Sequence, residues 1–562
     1  MICGAAEGRE RLVERGMHTS STELQSRDIS VRMALESKHR PLVLSSRATI
    51  SSAGRCADAP ESFTRSRSSP SISLMNFLLR NSILSCLLLA CPLLGAELRI
   101  GSATVSITPD RPVALAGQFG TRISQRVETP ILTSAVAIEA VEGGRTVDQA
   151  IFLSCDLVAI HHSVLAQFRQ HLKPLLPDFD MRKVIVSATH THTAPVTSEI
   201  VEETLITYPI PKEGVMQPGE YTAFLVERLS EAAVKAWQSR APGGVSWTLG
   251  FAQVGENRRA VFADGHAQMY GKTNEMRFRH LEAGSDSGIE TLFFWNAEKQ
   301  IEAVAINVAC PSQEVESRSA LNADFWHDTR ERLKAELGMP DLTVLGWCGA
   351  AGDQSPHPQF RKDAEARMIR LRGRTRQEEL GRRISDAVLD TLDVARADIR
   401  MEPLFAHHVQ DLSLPPRQIL EREYEEAKKN IAQYSVAENP DNRIVTMLAL
   451  EKGIVKRYEE ADKLAPYGME LHVLRLGDVA IATNPFELYL DWGIQMKARS
   501  PAQQTFVLQL SNGCGMYLPT APAITGGGYS GLPHVNKVGP EGGQVLVEET
   551  VRSVHMLFPR NP

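Results

Sequence analysis

Val184-Ile-Val-Ser-Ala-Thr-His-Thr-His-Thr-Ala-Pro195 joins an apolar run to two histidines two residues apart. Val184-Ile-Val186 has the composition of a buried strand. His190 and His192, just beyond it, are poor packing material and good zinc and proton-transfer chemistry. On an extended segment, side chains two apart point the same way, so either or both imidazoles can reach one metal. Three more apolar runs end in polar motifs. Thr343-Val-Leu-Gly-Trp347 leads to Gly352-Asp-Gln-Ser-Pro356, and Val479-Ala-Ile-Ala482 to Asn484-Pro-Phe-Glu487. Phe506-Val-Leu-Gln-Leu510 leads to Asn512-Gly-Cys-Gly-Met-Tyr517. Ligands of α/β sheets collect beyond the carboxyl ends of strands, so these motifs would converge if the runs share one sheet and one polarity.

Helical patterns over residues 222–237 and 378–390 alternate with the strands, among them Ala150-Ile-Phe-Leu-Ser154. The pattern predicts an α/β or α+β fold: one large domain over residues 97–562, with a mixed sheet and flanking helices. No fixed-period repeat is present, which argues against solenoids and propellers. Residues 415–464, opened by Pro415-Pro416, are charged and helix-favouring and predict a two-helix surface insertion.

The 562 residues are 43% hydrophobic and 23% charged, ordinary for a folded protein, and the formal charge of -6 gives no reason to expect nucleic-acid binding. The N-terminus has a different texture. Residues 1–74 are rich in Ser and Arg and read as disordered. Met75-Asn-Phe-Leu-Leu-Arg80 then opens an apolar stretch with the form of a signal peptide over residues 75–96. Residues 1–74 are therefore either upstream sequence misread as coding or an Arg/Ser-rich targeting leader. Leu88-Leu-Ala-Cys91 is similar to a lipoprotein cleavage site, where Cys91 would carry lipid; the alternative is a cut after Ala96. Either way the expected location is periplasmic or extracellular. Cys155, Cys310, Cys348 and Cys514 remain in the body, and if paired as disulfides they permit three connectivities.

Taken alone, each motif has a bland reading: hydrogen-bonded histidines, a turn at Gly352–Pro356, helix capping by Glu487, a solvated Arg258. Together, Thr189-His-Thr-His-Thr-Ala-Pro195 and Gly352-Asp-Gln-Ser-Pro356 resemble the motifs T-H-T-H-S-G-P and N-x-G-D-V-S-P-N of the neutral/alkaline ceramidase family. The resemblance runs from about Leu98 to about Gly531, with no room left for the family's C-terminal immunoglobulin-like domain.

It implies a single Zn2+ held by His190, Glu487 and Tyr517. His192 would polarise the substrate carbonyl, Ser355 would be the catalytic serine, and Asp353 is expected to be a catalytic residue with it. Arg258, in Asn257-Arg258, matches the family's N-R-S-P segment and would meet an oxyanion. Asp156 and Asp324 resemble family acids that act behind the ligands. The sequence departs at Gln354 and His357, which alters the expected pocket. It also has Cys310 in Val308-Ala-Cys310-Pro311-Ser312, where the family carries a histidine ligand. A thiolate is a zinc donor, so Cys310 is expected to complete the set; otherwise it is a buried structural thiol beside an altered site.

The implied function is hydrolysis of an N-acyl amide, a ceramide-like lipid foremost. The partners would be a small N-acyl or lipid substrate and, through substrate or a lipidated Cys91, a membrane surface. The alternatives are a zinc hydrolase of another amide or ester, or an exported binding protein whose metal site has degenerated.

Overall fold

The computed structural model describes residues 96–559, apart from residues 119, 198–199, 202–205, 208 and 437–441. The leader over residues 1–74, Cys91 and all of the signal segment but Ala96 lie outside the described residues.

Eight strands form the larger sheet: β1 (Glu97–Ser106), β2 (Leu132–Glu142), β3 (Arg145–Cys155), β4 (Val184–Ala188), β5 (Ala241–Phe251), β6 (Gly288–Asn296), β7 (Ile301–Val308) and β8 (Thr343–Cys348). Their order is β8-β7-β6-β5-β1-β2-β3-β4, with β3–β4 and β7–β8 parallel and the other pairs antiparallel. A second sheet, in chain order, holds β9 (Phe405–Leu414), β10 (Tyr467–Leu476), β11 (Val479–Thr483) and β12 (Gln504–Leu508), the last two parallel. The fold is mixed α/β.

Alternation builds the layers. In β2, Val136 and Ile138 face one apolar cluster while Ala135 and Ala137 face another. The first cluster is the seam between the two sheets, where Phe152, Ile185 and Trp347 meet Leu474, Ile481 and Phe506. Both faces of these strands are buried, so the strands read as near-continuous apolar runs. Helices cover the outer faces. Helices α1 (His162–Leu172) and α2 (Pro218–Gln238) pack on β2–β4, and α3 (Phe325–Leu337) and α4 (Arg376–Asp390) on β6–β8. Helix α4 starts two residues earlier than its apolar periodicity, because Thr375 and Glu378 close a capping box.

Between β9 and β10, residues 415–464 hold the helices α5 (Glu421–Tyr434) and α6 (Asn442–Glu459). Arg457 of α6 donates to the carbonyls of Pro533 and Asn536, tying this pair to the segment after Tyr517. Helices α7 (Leu490–Arg499) and α8 (Pro540–Leu557) cover the second sheet. The four body cysteines are buried free thiols, so none of the three disulfide connectivities is formed.

Candidate active site

The chain leaves β4, β8, β11 and β12 at one end of the two sheets, and short polar contacts lock the four exits together. Asn512, after β12, accepts from Val186 N at 2.8 Å and donates to Val184 O at 3.0 Å, acting as a strand partner for the outer edge of β4. Gln509 Oε1 accepts from Ala351 N at 3.0 Å and Leu488 N at 2.9 Å, joining the exits of β8 and β11 to its own. The exit of β7 joins them: Ser312 Oγ donates to Thr189 O at 2.7 Å. Asn512 lies in the motif read from sequence; Gln509 and Ser312 carry no sequence pattern that marks them.

His190 has φ 69°, a left-handed conformation unusual for a residue with a Cβ. Its Nδ1 lies 2.6 Å from Val158 O, which fixes that nitrogen as the donor. Its Nε2 is buried without a hydrogen bond of good geometry, and Glu487 Oε2 lies 3.4 Å away. An imidazole anchored through one nitrogen with the other buried and unsatisfied is the arrangement of a metal-binding histidine. Glu487 does not open a helix: Glu487–Leu488 is a short strand paired in parallel with Tyr517–Leu518, and α7 begins at Leu490. The Glu487 N–H is taken by Met516 O at 2.8 Å, a tertiary bond that overrides the helix-capping reading of Glu487. This pairing sets Glu487 directly beside Tyr517.

Cys310 is not brought to this group. Its side chain packs with Val254, Val308, Phe325 and Ile384, and burial pushes the thiol well above its ordinary range. Among the described residues no three His, Cys, Asp or Glu side chains stand together as a metal-holding group. His190, Glu487 and the Tyr517 phenol thus supply one nitrogen and two oxygen donors, which fits a zinc site with three protein ligands, and the expected thiolate is not among them.

His192 meets His190 edge to face, with ring centroids 5.0 Å apart. Gln313 Nε2 stands 2.8 Å from His192 Nε2, and Glu316 Oε2 lies 3.2 Å from Nδ1. Burial pushes the imidazole down to about 3 against the pull of Glu316, so the ring is neutral near pH 7. Gly117, at φ 96°, lies flat against this ring: a Cβ there would come 2.4 Å from His192 Cγ.

Arg258 is buried and its guanidinium spans the site. Nη1 donates to Gln313 Oε1 at 3.1 Å and Tyr270 Oη at 3.3 Å; Nη2 donates to Gly352 O at 3.0 Å and Tyr517 Oη at 3.3 Å. Ser355 Oγ is 3.2 Å from Tyr270 Oη and accepts from His357 N at 3.1 Å. Asp353 stands back from this group: it accepts from Leu490 N at 3.0 Å and Asn257 Nδ2 at 2.7 Å, and so positions the turn. Gly352 is needed for close approach, since a Cβ there would lie 2.3 Å from Glu487 O.

Asp156 binds Arg330 at 2.6 and 3.0 Å and Thr189 Oγ1 at 3.3 Å, bracing the strand end behind His190, while Asp324 caps α3. Tyr270, Gln313 and Glu316 join the site although no sequence motif marked them; the polar run Gln313-Glu314, with Glu316 one residue on, was the available hint for the last two.

No protein-family model matches the chain, and no curated protein matches it in sequence. Solved structures do. Neutral ceramidase from Pseudomonas aeruginosa aligns with TM-score 0.60 and 14% identity, over 83% of this chain and 75% of that one. A ceramidase complexed with C2 aligns with TM-score 0.59 and 14% identity, over 83% of this chain and 76% of that one. At that identity the likeness is one of architecture: the chain has a neutral ceramidase-like fold.

Proposed function

We propose that this protein is an exported, zinc-dependent amidohydrolase that cleaves an N-acyl amide, with a ceramide-like lipid as its substrate class. The observation that carries the reading is the meeting of His190, Glu487, Tyr517, Arg258, Tyr270 and Ser355, from five separate chain segments, at one buried place. Burying this many polar side chains is costly for stability and is concentrated where chemistry needs it. The alignment with ceramidases over most of both chains supports the substrate class.

His190, Glu487 and Tyr517 would hold the zinc, which would supply Lewis-acid polarisation and acidify a bound water. The remaining roles belong to the chain's own groups. Arg258, desolvated and fixed by four acceptors, faces negative charge developing on the carbonyl oxygen. Neutral His192, held between Gln313 and Glu316, orients toward the same oxygen. Ser355 Oγ, accepting from His357 N–H and Tyr270 Oη, either attacks the acyl carbon, its proton going to the leaving amine nitrogen as the C–N bond breaks, or donates to the tetrahedral intermediate.

The N-terminal part of the proposal is translation from Met75, export, and a mature start at Cys91 or near Glu97; intact mass of the secreted product decides it. The test of the activity is a panel of N-acyl amides and esters, N-acylsphingosines included, incubated with zinc-loaded and chelator-stripped protein. Chelator-sensitive release of fatty acid from N-acylsphingosine is expected. Zinc binding with no hydrolysis of any panel member would leave a binding protein.

A further inference from the structure

Three chain segments close on the His192 imidazole. Gly117 lies flat against the ring, His192 itself comes from the exit of β4, and the segment after Cys310 brings Gln313 to Nε2 and Glu316 to Nδ1. At this point none of the three runs in a regular strand or helix, so isolated contacts replace a backbone ladder. Ala116 N donates to Ala194 O at 2.9 Å, and the Thr191 and Thr193 hydroxyls donate to Asn322 O at 2.8 and 2.7 Å.

The carbonyls of the same segments converge on one guanidinium. Arg122 belongs to a short hairpin that pairs Ala114–Leu115 with Arg122–Ile123. Its Nη2 donates to Ala116 O at 2.7 Å and His192 O at 2.6 Å, and its Nη1 to Glu316 O at 2.8 Å and Arg318 O at 2.7 Å. Among the described residues, no backbone N–H donates to any of these four carbonyls. What the fork holds is the backbone of His192, the residue before Gly117, and the backbone of Glu316, whose carboxylate Gln118 Nε2 also meets at 3.3 Å. Arginine suits this place. Charge-assisted bonds from a planar fork fix direction as well as distance, whereas a lysine would bring one point charge on a flexible stem.

We propose that Arg122 is the positioning residue of His192: by tying Ala116, His192 and Glu316 together, it keeps the imidazole fixed between Gly117, Gln313 and Glu316. It acts through backbone carbonyls, so its loss falls on the rate of the chemical step rather than on substrate affinity. The inference rests on the role given to His192 in the proposed activity. The freedom of the ring is measured without turnover, so the two can fail separately.

The test uses diethyl pyrocarbonate, which acylates the neutral imidazole nitrogens it can reach, with peptide mass spectrometry to read each histidine by itself. His192, and as controls His407 and His472 on the second sheet, are buried and should react slowly in the parent. In Arg122→Gln and in Arg122→Lys, local opening should make His192 react about tenfold faster or more, with His407 and His472 unchanged. Turnover of N-acylsphingosine by either variant should show kcat lower by about a hundredfold, the scale of a small misplacement, with KM close to the parent's. His192 as protected in both variants as in the parent overturns the inference. So does an equal rise at His407 and His472, which would make Arg122 a general stabiliser, or a raised KM with kcat intact, which would place its effect on substrate binding. A loosened His192 in a protein whose parent hydrolyses no N-acyl amide would uphold the inference and sink the proposed activity.

Discussion

His190 holds a left-handed backbone conformation, φ 69°, that costs of order 1–3 kcal/mol for a residue with a Cβ. The strain is sustained because Leu157 O accepts its N–H at 2.9 Å and Val158 O fixes its Nδ1. What remains free to act is Nε2, facing Glu487. His190→Ala and Glu487→Ala should each lose the one zinc per chain, measured by elemental analysis after dialysis. Cys310→Ala should keep it, since the thiol lies in the apolar cluster under α3 and α4. Full zinc in His190→Ala, or its loss in Cys310→Ala, would reverse these assignments. Gly117→Ala meets two obstacles at once, a positive φ and the His192 ring, so it should cut turnover at least tenfold while the melting temperature falls by only a few degrees. At this scale the sequence was partly readable. His190, His192, Glu487 and Tyr517 stand in spaced motifs, whereas Gln313 and Tyr270 matter only through who they meet in space, which no local pattern records.

Strand ends carry the site, and their placement depends on side chains that imitate backbone. Asn512 completes the edge of β4 by serving Val184 O and Val186 N. Asn512→Ala would leave the Val186 N–H without its partner and Val184 O with only the 3.4 Å contact from Arg169 Nη2, a loss of about 1–3 kcal/mol for the unsatisfied N–H. A lower urea midpoint with unchanged slope should report it. Apolar runs made β3, β4, β8, β11 and β12 legible, and the 3.6-residue periods did the same for the bodies of α2 and α4. Two features were hidden. The motifs come from two stacked sheets rather than one, because a strand's partners are long-range and parallel pairs here join at the β3–β4, β7–β8 and β11–β12 edges. Glu487 lies in a strand pair instead of a helix, because Met516 O, distant in sequence, captures its N–H.

Across the molecule, buried acids set a pH dependence of stability. Burial raises Asp353 to about 6, Asp324 to about 7 and Glu314 to about 8. Such groups bind protons more tightly when folded, so their contribution is full below their ordinary values near 4 and is lost as pH rises through 6 to 8. Glu470 and Glu379 go the other way: against the pull of burial, His472 and Arg169 hold the first, and Arg382 and Arg372 the second, at about 2. Their contribution is present above about 4.5 and is lost as pH falls toward 2. Burial of His192 and His534, pushed down to about 3 and about 4, works the opposite way below their ordinary value near 6.5. The melting temperature of the metal-free protein should therefore decline between pH 6.5 and 8, and Glu314→Gln should flatten part of that decline. The layered α/β architecture was legible from the alternation of elements, and the second sheet stacked on the first was not, since both contribute the same kind of apolar run. The most direct test of the whole account is the rate of fatty-acid release from N-acylsphingosine by the zinc-loaded parent and by Ser355→Ala. The account predicts chelator-sensitive turnover by the parent, and in the variant full zinc, an unchanged fold and a rate lower by a factor on the order of a hundred or more, the scale of one lost transition-state contact. Equal rates in the two proteins would contradict it.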